Sequence, residues 1–186
     1  MNIHYDITFH SYWHCGSGLA AGADVDSLVI KDGDGLPYIP GKTMKGLVRE
    51  AVNEILALSG KNEITDNYLS LFGYFEDDRN DMYKSNSFFT NAQLPEKCNI
   101  RKQGLQKYLY TSVAQTAIDA ETGTAKEHSL RRIEVVVPCQ LEGDILNVPE
   151  VMAGTVLDAL KFIKHMGLGR NRGLGRCTIE GKEAEE

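Results

Sequence analysis

The chain has 186 residues, a formal net charge of -6 and 42% hydrophobic residues, enough for one domain that buries roughly two-thirds of the surface its unfolded chain exposes. The acidic balance argues against indiscriminate attachment to polyanions, and the four cysteines, Cys15, Cys98, Cys139 and Cys177, lack the CxxC spacing of a zinc knuckle and signal no disulfide framework. No leader-like segment and no apolar run of roughly 20 residues is seen, so a soluble, cytoplasmic protein with reduced thiols is expected.

In chain order, IHYDITFHSYW alternates apolar and polar residues from Ile3 to Trp13, the period of a half-buried strand. GSGLAAGADVD cannot continue it, and SLVIKDGDGLPYIPG predicts a short hairpin around Asp32 to Gly35. After Gly41, the residues Met44, Leu47, Val48, Val52, Ile55 and Leu56 form one helical stripe, with Lys42, Lys45 and Arg49 along another face. Glu63 to Asp81 is mixed and polar around LSLFGYF and receives no assignment. SNSFFTNAQL reads as a strand. GLQKYLYTSVAQTAIDAETGTAKEHSLRRIEVVVPCQL reads as two arms around a turn near Ala120 to Gly123, the second ending in the β-branched run Ile133 to Val137. Pro149 opens a second helix with Val156, Leu157, Leu160 and Ile163 on one stripe, and RCTIEG is the last strand. The order strand, helix, strands, helix, strand predicts an α+β, ferredoxin-like domain, an antiparallel sheet with two helices on one face.

Charge is uneven along this frame. Ala159 to Cys177 holds Lys161, Lys164, Arg170, Arg172 and Arg176 and no acid, while acids gather at Glu76 to Asp81 and in the final GKEAEE. Such a chain can hold a polyanion along one strip and repel it elsewhere. GLGRNRGLG sits in the basic stretch. It follows a helix and precedes the last strand, which excludes a dinucleotide loop of the Rossmann type. Two readings stay open: a bare backbone whose N–H groups and flanking guanidiniums hold phosphates, or a glycine C-cap after Met166 with solvated arginines. Lys42 and Lys45 in the first turn of the first helix go against the helix dipole, a conflict that a bound phosphate would relieve and solvation would leave. No Ser-His-Asp order or HExxH pattern occurs. His10, His14 and His128 read as satisfied or exposed imidazoles.

GSGLAAGADVDSLVIKDGDGLPYIPGKTMKGLVREA, LFG at Leu71 to Gly73, IDAETGTAKEHSLRRIEVV and GLGRNRGLG, in that order from Ile3 to Gly181, together resemble the RAMP superfamily of CRISPR proteins. The resemblance is greatest to the repeating backbone subunit of type III effector complexes. It implies a modified RNA-recognition-like palm across the whole chain, with an inserted thumb β-hairpin at about 101–132. It also implies guide RNA, a complementary target RNA, other effector subunits and head-to-tail copies of the same chain as partners. The catalytic position it implies is Asp26, with Asp24 as rival, acting as an endoribonuclease residue that also ligates a transient Mg2+ or other divalent cation. A lone aspartate suffices there, because RNA supplies its own 2′-hydroxyl nucleophile and magnesium keeps most of its waters. Lys42, Thr43, Lys45, Arg49, Gly169, Arg170, Asn171, Arg172 and Gly173 would grip the guide backbone. Ile118 to Lys126, including Thr124 and Ala125, would form the thumb tip, with His128, Arg131 and Arg132 behind it. A non-cleaving guide-binding scaffold and a guide-processing endonuclease are the alternatives; the latter branch uses a histidine near the place of His14 as general base, and the resemblance would also let His128 touch backbone phosphates between guide and target. At 186 residues the chain is short for that backbone subunit.

Overall fold

A computed structural model of the chain describes residues 1–20, 25–60, 65–76 and 81–184. The elements are β1 (Ile3–Phe9), α1 (Gly41–Leu58), α2 (Asp66–Phe72), β2 (Tyr74–Glu76), β3 (Asp81–Tyr83), β4 (Phe88–Phe89), α3 (Ile100–Gln103), β5 (Tyr110–Gln115), β6 (Arg131–Val136), β7 (Gln140–Leu146), α4 (Glu150–Phe162) and β8 (Cys177–Glu183). Four strands form an antiparallel sheet in the order β4-β7-β1-β8, with the first strand central and flanked by the last. With α1 and α4 as the crossings, this is the ferredoxin-like arrangement that the element order predicts.

Alternation decides which face is which. Ile3, Tyr5, Ile7 and Phe9 of β1, Leu141 and Ile145 of β7, and Cys177 and Ile179 of β8 are all buried, since odd and even residues of a strand face opposite sides. They meet Met44, Val48 and Val52 of α1 and Val156, Ala159 and Leu160 of α4 in one core. The opposite face carries His4 and Asp6, Glu142 and Asp144, and Glu180 and Lys182 in matched rows: Asp6 lies opposite both Glu142 and Glu180, His4 opposite Asp144 and Lys182. His4 Nδ1 contacts Asp144 Oδ1 at 2.8 Å. Four carboxylates against one lysine and one histidine make this part of the face unfit for a polyanion.

Several elements differ from their sequence reading for local reasons. β1 ends at Phe9; Trp13 leaves the sheet, stacks on Phe9 with ring centroids 4.5 Å apart and pairs with Val136 instead. The strand expected in SNSFFTNAQL is cut to Phe88–Phe89 and resumes at Gln93, which pairs with Glu142. Phe89 pairs with Ile145, so four steps on one side match three on the other, a bulge with one extra residue. The bulge turns the Asn91 side chain to cap α1, accepting the Gly41 N–H at 2.9 Å. Gly41 is obligatory there: a Cβ would stand 2.0 Å from the Phe89 carbonyl oxygen. The unassigned segment contains α2, whose start is capped by the Thr65 hydroxyl accepting from Tyr68 N at 3.3 Å. The β5–β6 hairpin spans Tyr110 to Val136, whereas 101–109 is made of helical turns rather than the first arm of the thumb.

Among the described residues no helix is long and apolar enough to cross a membrane. The four cysteines are free thiols. Burial pushes the Cys177 thiol up to about 11, the nearby Lys164 charge opposing it, and burial also pushes Cys139 up to about 11. Since the thiolate is the reactive form, exposed Cys98 is expected to alkylate first and Cys139 and Cys177 last in a maleimide time course read by mass spectrometry. Labelling of Cys177 at the rate of Cys98 would mean that β8 does not pack as described.

Candidate nucleic-acid interface

The segment Val25 to Lys31 lies beside β6 and is fastened to it residue by residue. Asp26 N–H donates to the Arg132 carbonyl at 2.8 Å, and the Asp26 carboxylate accepts the Arg132 N–H at 2.7 Å. Ser27 then pairs in parallel with Ile133, and its carbonyl accepts the Glu134 N–H at 3.0 Å. Glu134 is the central pin: its carboxylate accepts from Val29 N–H at 3.0 Å and from Lys31 Nζ at 2.8 Å. Lys31 in turn sits 4.0 Å over the Tyr110 ring. The sequence reading missed Glu134, which stands in an apolar β-branched run and looked like one more strand residue. A carboxylate that satisfies a lysine and a backbone donor is worth about 2 kcal/mol. Glu134→Ala is therefore expected to lower the unfolding free energy by about that amount, read as a fall of about 1 M in the urea midpoint at unchanged slope, and to speed hydrogen exchange at Val29.

Of the two ordinary readings of His14, satisfied or exposed, the structure shows the satisfied one. The residue is buried to 1% exposure, with Nδ1 2.6 Å from the Glu134 carbonyl oxygen and Nε2 3.1 Å from Ser27 Oγ. Both ring nitrogens are engaged, which makes it a strut between the end of the first strand and the Asp26 segment. Its own carbonyl accepts Leu168 N–H at 2.9 Å from the glycine-rich loop.

That loop is shaped by its glycines. Gly167, Gly169, Gly173 and Gly175 all have positive φ, the region that favours glycine. Added Cβ atoms at Gly167 and Gly175 would lie 2.3 Å from the His14 carbonyl oxygen and 1.8 Å from that of Met166. The N–H groups of Leu168, Arg172, Leu174 and Gly175 bond within the protein. The loop's offer to an anion is therefore centred on the exposed Arg170, Asn171 and Arg172, which form a 3₁₀ turn between Gly169 and Gly173. Leu174, buried, packs with Ile133 and Val135 of β6 in a small second core. The loop, the root of the hairpin, His14 and Asp26 thus form one joined region.

On α1, Lys42, Lys45 and Arg49 lie on one stripe, with no acid in the first turn. Partial burial, then the Arg49 charge, lowers the Lys45 ammonium below the ordinary lysine range, the expected penalty for two like charges one turn apart. Thr43 and Met44 N–H donate back to Pro40, and Gly41 N–H to Asn91, so these first amides of the helix are already occupied. The groove beside Arg170 and Asn171 is lined from α1 by Leu47, Glu50, Ala51 and Glu54. The basic stripe is thus offset from the loop along the helix, Lys42 being about 13 Å from Ala51.

At the hairpin tip, Ile118 pairs with Ala125, and Asp119 N–H and Lys126 N–H close the turn onto Thr124 and Ala117. The Asp119 carboxylate accepts from the N–H groups of Thr122 and Glu121, which hold it below the usual carboxylate range. Ile118 is 62% exposed, an apolar side chain at the end of a polar arm. His128 sits at positive φ and Arg131 and Arg132 are exposed where the arm joins the body. Asp24 lies outside the described residues.

Among the described residues, the one group of three potential metal ligands is His4, Asp6 and Glu142 on the uncovered sheet face, and Asp26 is not part of it. The Asp26 carboxylate is exposed and one oxygen is held by a backbone N–H, an arrangement that fits a hard cation taking a single protein carboxylate.

An α+β sheet with an inserted hairpin and a glycine-rich loop before the last strand defines an RNA-recognition-like palm carrying a thumb. The RAMP superfamily model matches residues 6–178, and the chain belongs to that superfamily. Solved chains that share the fold include the following two. One is from the cryo-EM structure of the Type III-B Cmr-beta bound to cognate target RNA, with TM-score 0.73 and 11% identity, covering 97% of each chain. The other is from the Type III-B Cmr-beta structure of the apo state, with TM-score 0.72 and 13% identity, again covering 97% of each chain. At 186 residues the chain is therefore matched in size by these neighbours. No curated protein matches the sequence.

Proposed function

We propose that this chain is a guide-RNA-lining subunit of a type III CRISPR effector complex and that it cuts the paired target RNA at Asp26. The observation that carries the reading is the placement of the Asp26 carboxylate. It is fixed at the surface by the Arg132 N–H at 2.7 Å, at the root of a hairpin with an exposed apolar tip. The superfamily match and the fold shared with chains of RNA-bound type III-B complexes support the assembly. Lys42, Thr43, Lys45 and Arg49 with Arg170, Asn171 and Arg172 hold the guide's phosphates, contacts that position the strand without reading its bases. Ile118 and Ala125 wedge against a displaced base pair of the guide–target duplex, with His128, Arg131 and Arg132 near its backbone.

In the cut, the 2′-oxygen of the target attacks the adjacent phosphorus and the 5′-oxygen of the next nucleotide leaves. The products are a 2′,3′-cyclic phosphate and a 5′-hydroxyl, with the 2′-hydroxyl proton lost and one gained by the leaving oxygen. Asp26 holds the sugar and phosphate in line and accepts the proton or ligates a divalent cation. When bound, that cation would neutralise charge developing on the phosphate. A second reading rests on the same hydrogen bond: Asp26 serves to fasten its segment to β6, and the subunit holds RNA without cutting it. Guide-loaded complex with labelled complementary RNA, with magnesium or EDTA, separates the two. Evenly spaced cuts that need the cation support the first, and tight binding with no cuts supports the second.

A further inference from the structure

The pairing of β1 with β8 extends one step beyond the regular strands. His10 N–H donates to the Arg176 carbonyl at 2.8 Å, and on the other side of Arg176 the chain at His165 pairs with it as an antiparallel bridge. Residues directly opposite in antiparallel pairs project to the same face, with Cβ atoms roughly 5 Å apart. Since Phe9 and Cys177 point into the core, His10, Arg176 and His165 stand in a row on the uncovered side, all three exposed. The Thr178 hydroxyl lies 2.8 Å from His10 Nε2, and Lys164 lines the same depression.

No carboxylate lines this depression, whose remaining wall is Cys177. The acid row of the same face, Asp6 with Glu180, is four residues further along each strand, about 13 Å away. A guanidinium between two imidazoles, with an ammonium and a hydroxyl beside it, presents donors alone or donors by choice of tautomer, the chemistry that holds phosphate oxygens. Lys164 and His165 also line the groove that contains Arg170 and Asn171, with Glu50 and Glu54 of α1 on its far side, so the two depressions share a wall on their basic side.

We propose that His10, Lys164, His165 and Arg176 form a phosphodiester-binding site that carries an RNA strand onward from the Arg170–Arg172 turn over the end of the sheet. The proposal rests on the reading of the chain as an RNA-binding subunit. It is tested on the full-length chain with fluorescein-labelled oligouridine by anisotropy over a series of KCl concentrations, comparing wild type, K164Q/R176Q and R170Q/R172Q. Removal of two phosphate contacts is expected to weaken binding about tenfold at low salt and to flatten the salt slope by about 1.4. The exposed side chains leave melting unchanged, and R176K, which keeps the charge, retains the wild-type slope. If the wild type binds and R170Q/R172Q is weakened while K164Q/R176Q keeps wild-type affinity and slope, the sheet-end site is overturned and the RNA-binding reading stands. Failure of the wild type to bind at any salt overturns that reading and the site with it.

Discussion

Asp26→Ala in a guide-loaded complex is expected to lower target cleavage by at least about a hundredfold, the low end for a group that moves a proton or holds charge in the transition state. Target binding should stay within about twofold, because phosphate contacts from other residues supply the affinity. The variant also loses the acceptor for the Arg132 N–H, so a stability control is needed. Asp26→Asn is the informative partner: its amide oxygen can still accept that N–H, while the carboxylate charge is gone. Cleavage lost in both variants with unchanged melting assigns the chemistry to the charge. Cleavage retained by Asp26→Asn would mean that the residue acts through the fastening of its segment, and the catalytic assignment would be abandoned.

Gly175→Ala is expected to be the most damaging single methyl in the chain. Its Cβ would stand 1.8 Å from the Met166 carbonyl oxygen, at φ +69, and that same carbonyl belongs to the residue whose N–H bonds Gly175. The backbone cost of a left-handed alanine is about 1 to 2 kcal/mol, and separating two paired chains adds to it. A total loss of at least about 3 kcal/mol, or a melting shift of about 6 to 12 °C, is expected. Gly173→Ala serves as comparison. It shares the positive φ but has open space around it, so only the backbone cost applies. Calorimetry of the pair separates crowding from conformation, and equal shifts would contradict the close packing of the loop against Met166.

The two long helices, α1 and α4, were legible because a single period carries them, whereas the short α2 and α3 offer too few turns to show one. Met44, Val48 and Val52 recur along α1 and are fully buried, and Pro149 stands at the cap of α4. The glycine-rich loop was legible as a feature, but half of its meaning was hidden. The sequence shows four glycines; that Gly167 and Gly175 make room for the carbonyls of His14 and Met166 depends on which strand lies next to them. Whether His14 is satisfied or exposed was not legible, because a lone histidine carries no sign of its partners, here Glu134 and Ser27, both distant in sequence. The row of His10, Arg176 and His165 left no trace for the same reason: it exists through register, a property of pairs of segments. Asn91 was hidden by the bulge that turns it, since one extra residue in a strand is indistinguishable in sequence from ordinary alternation.

The central position of β1 bears on how the chain is made. It precedes the other strands of its sheet in chain order, yet its partners are β7 and β8, the last two strands of the sheet. Through most of synthesis β1 has neither edge covered: β7 follows only in about the last quarter of the chain and β8 in about the final tenth. Non-local pairing of this kind folds slowly and leaves open edges that recruit other chains. The glycine-rich loop enters between those last two strands, so the basic surface is completed at the same moment as the sheet. The Arg170–Arg172 turn is therefore expected to take its final shape only once β8 has closed the sheet.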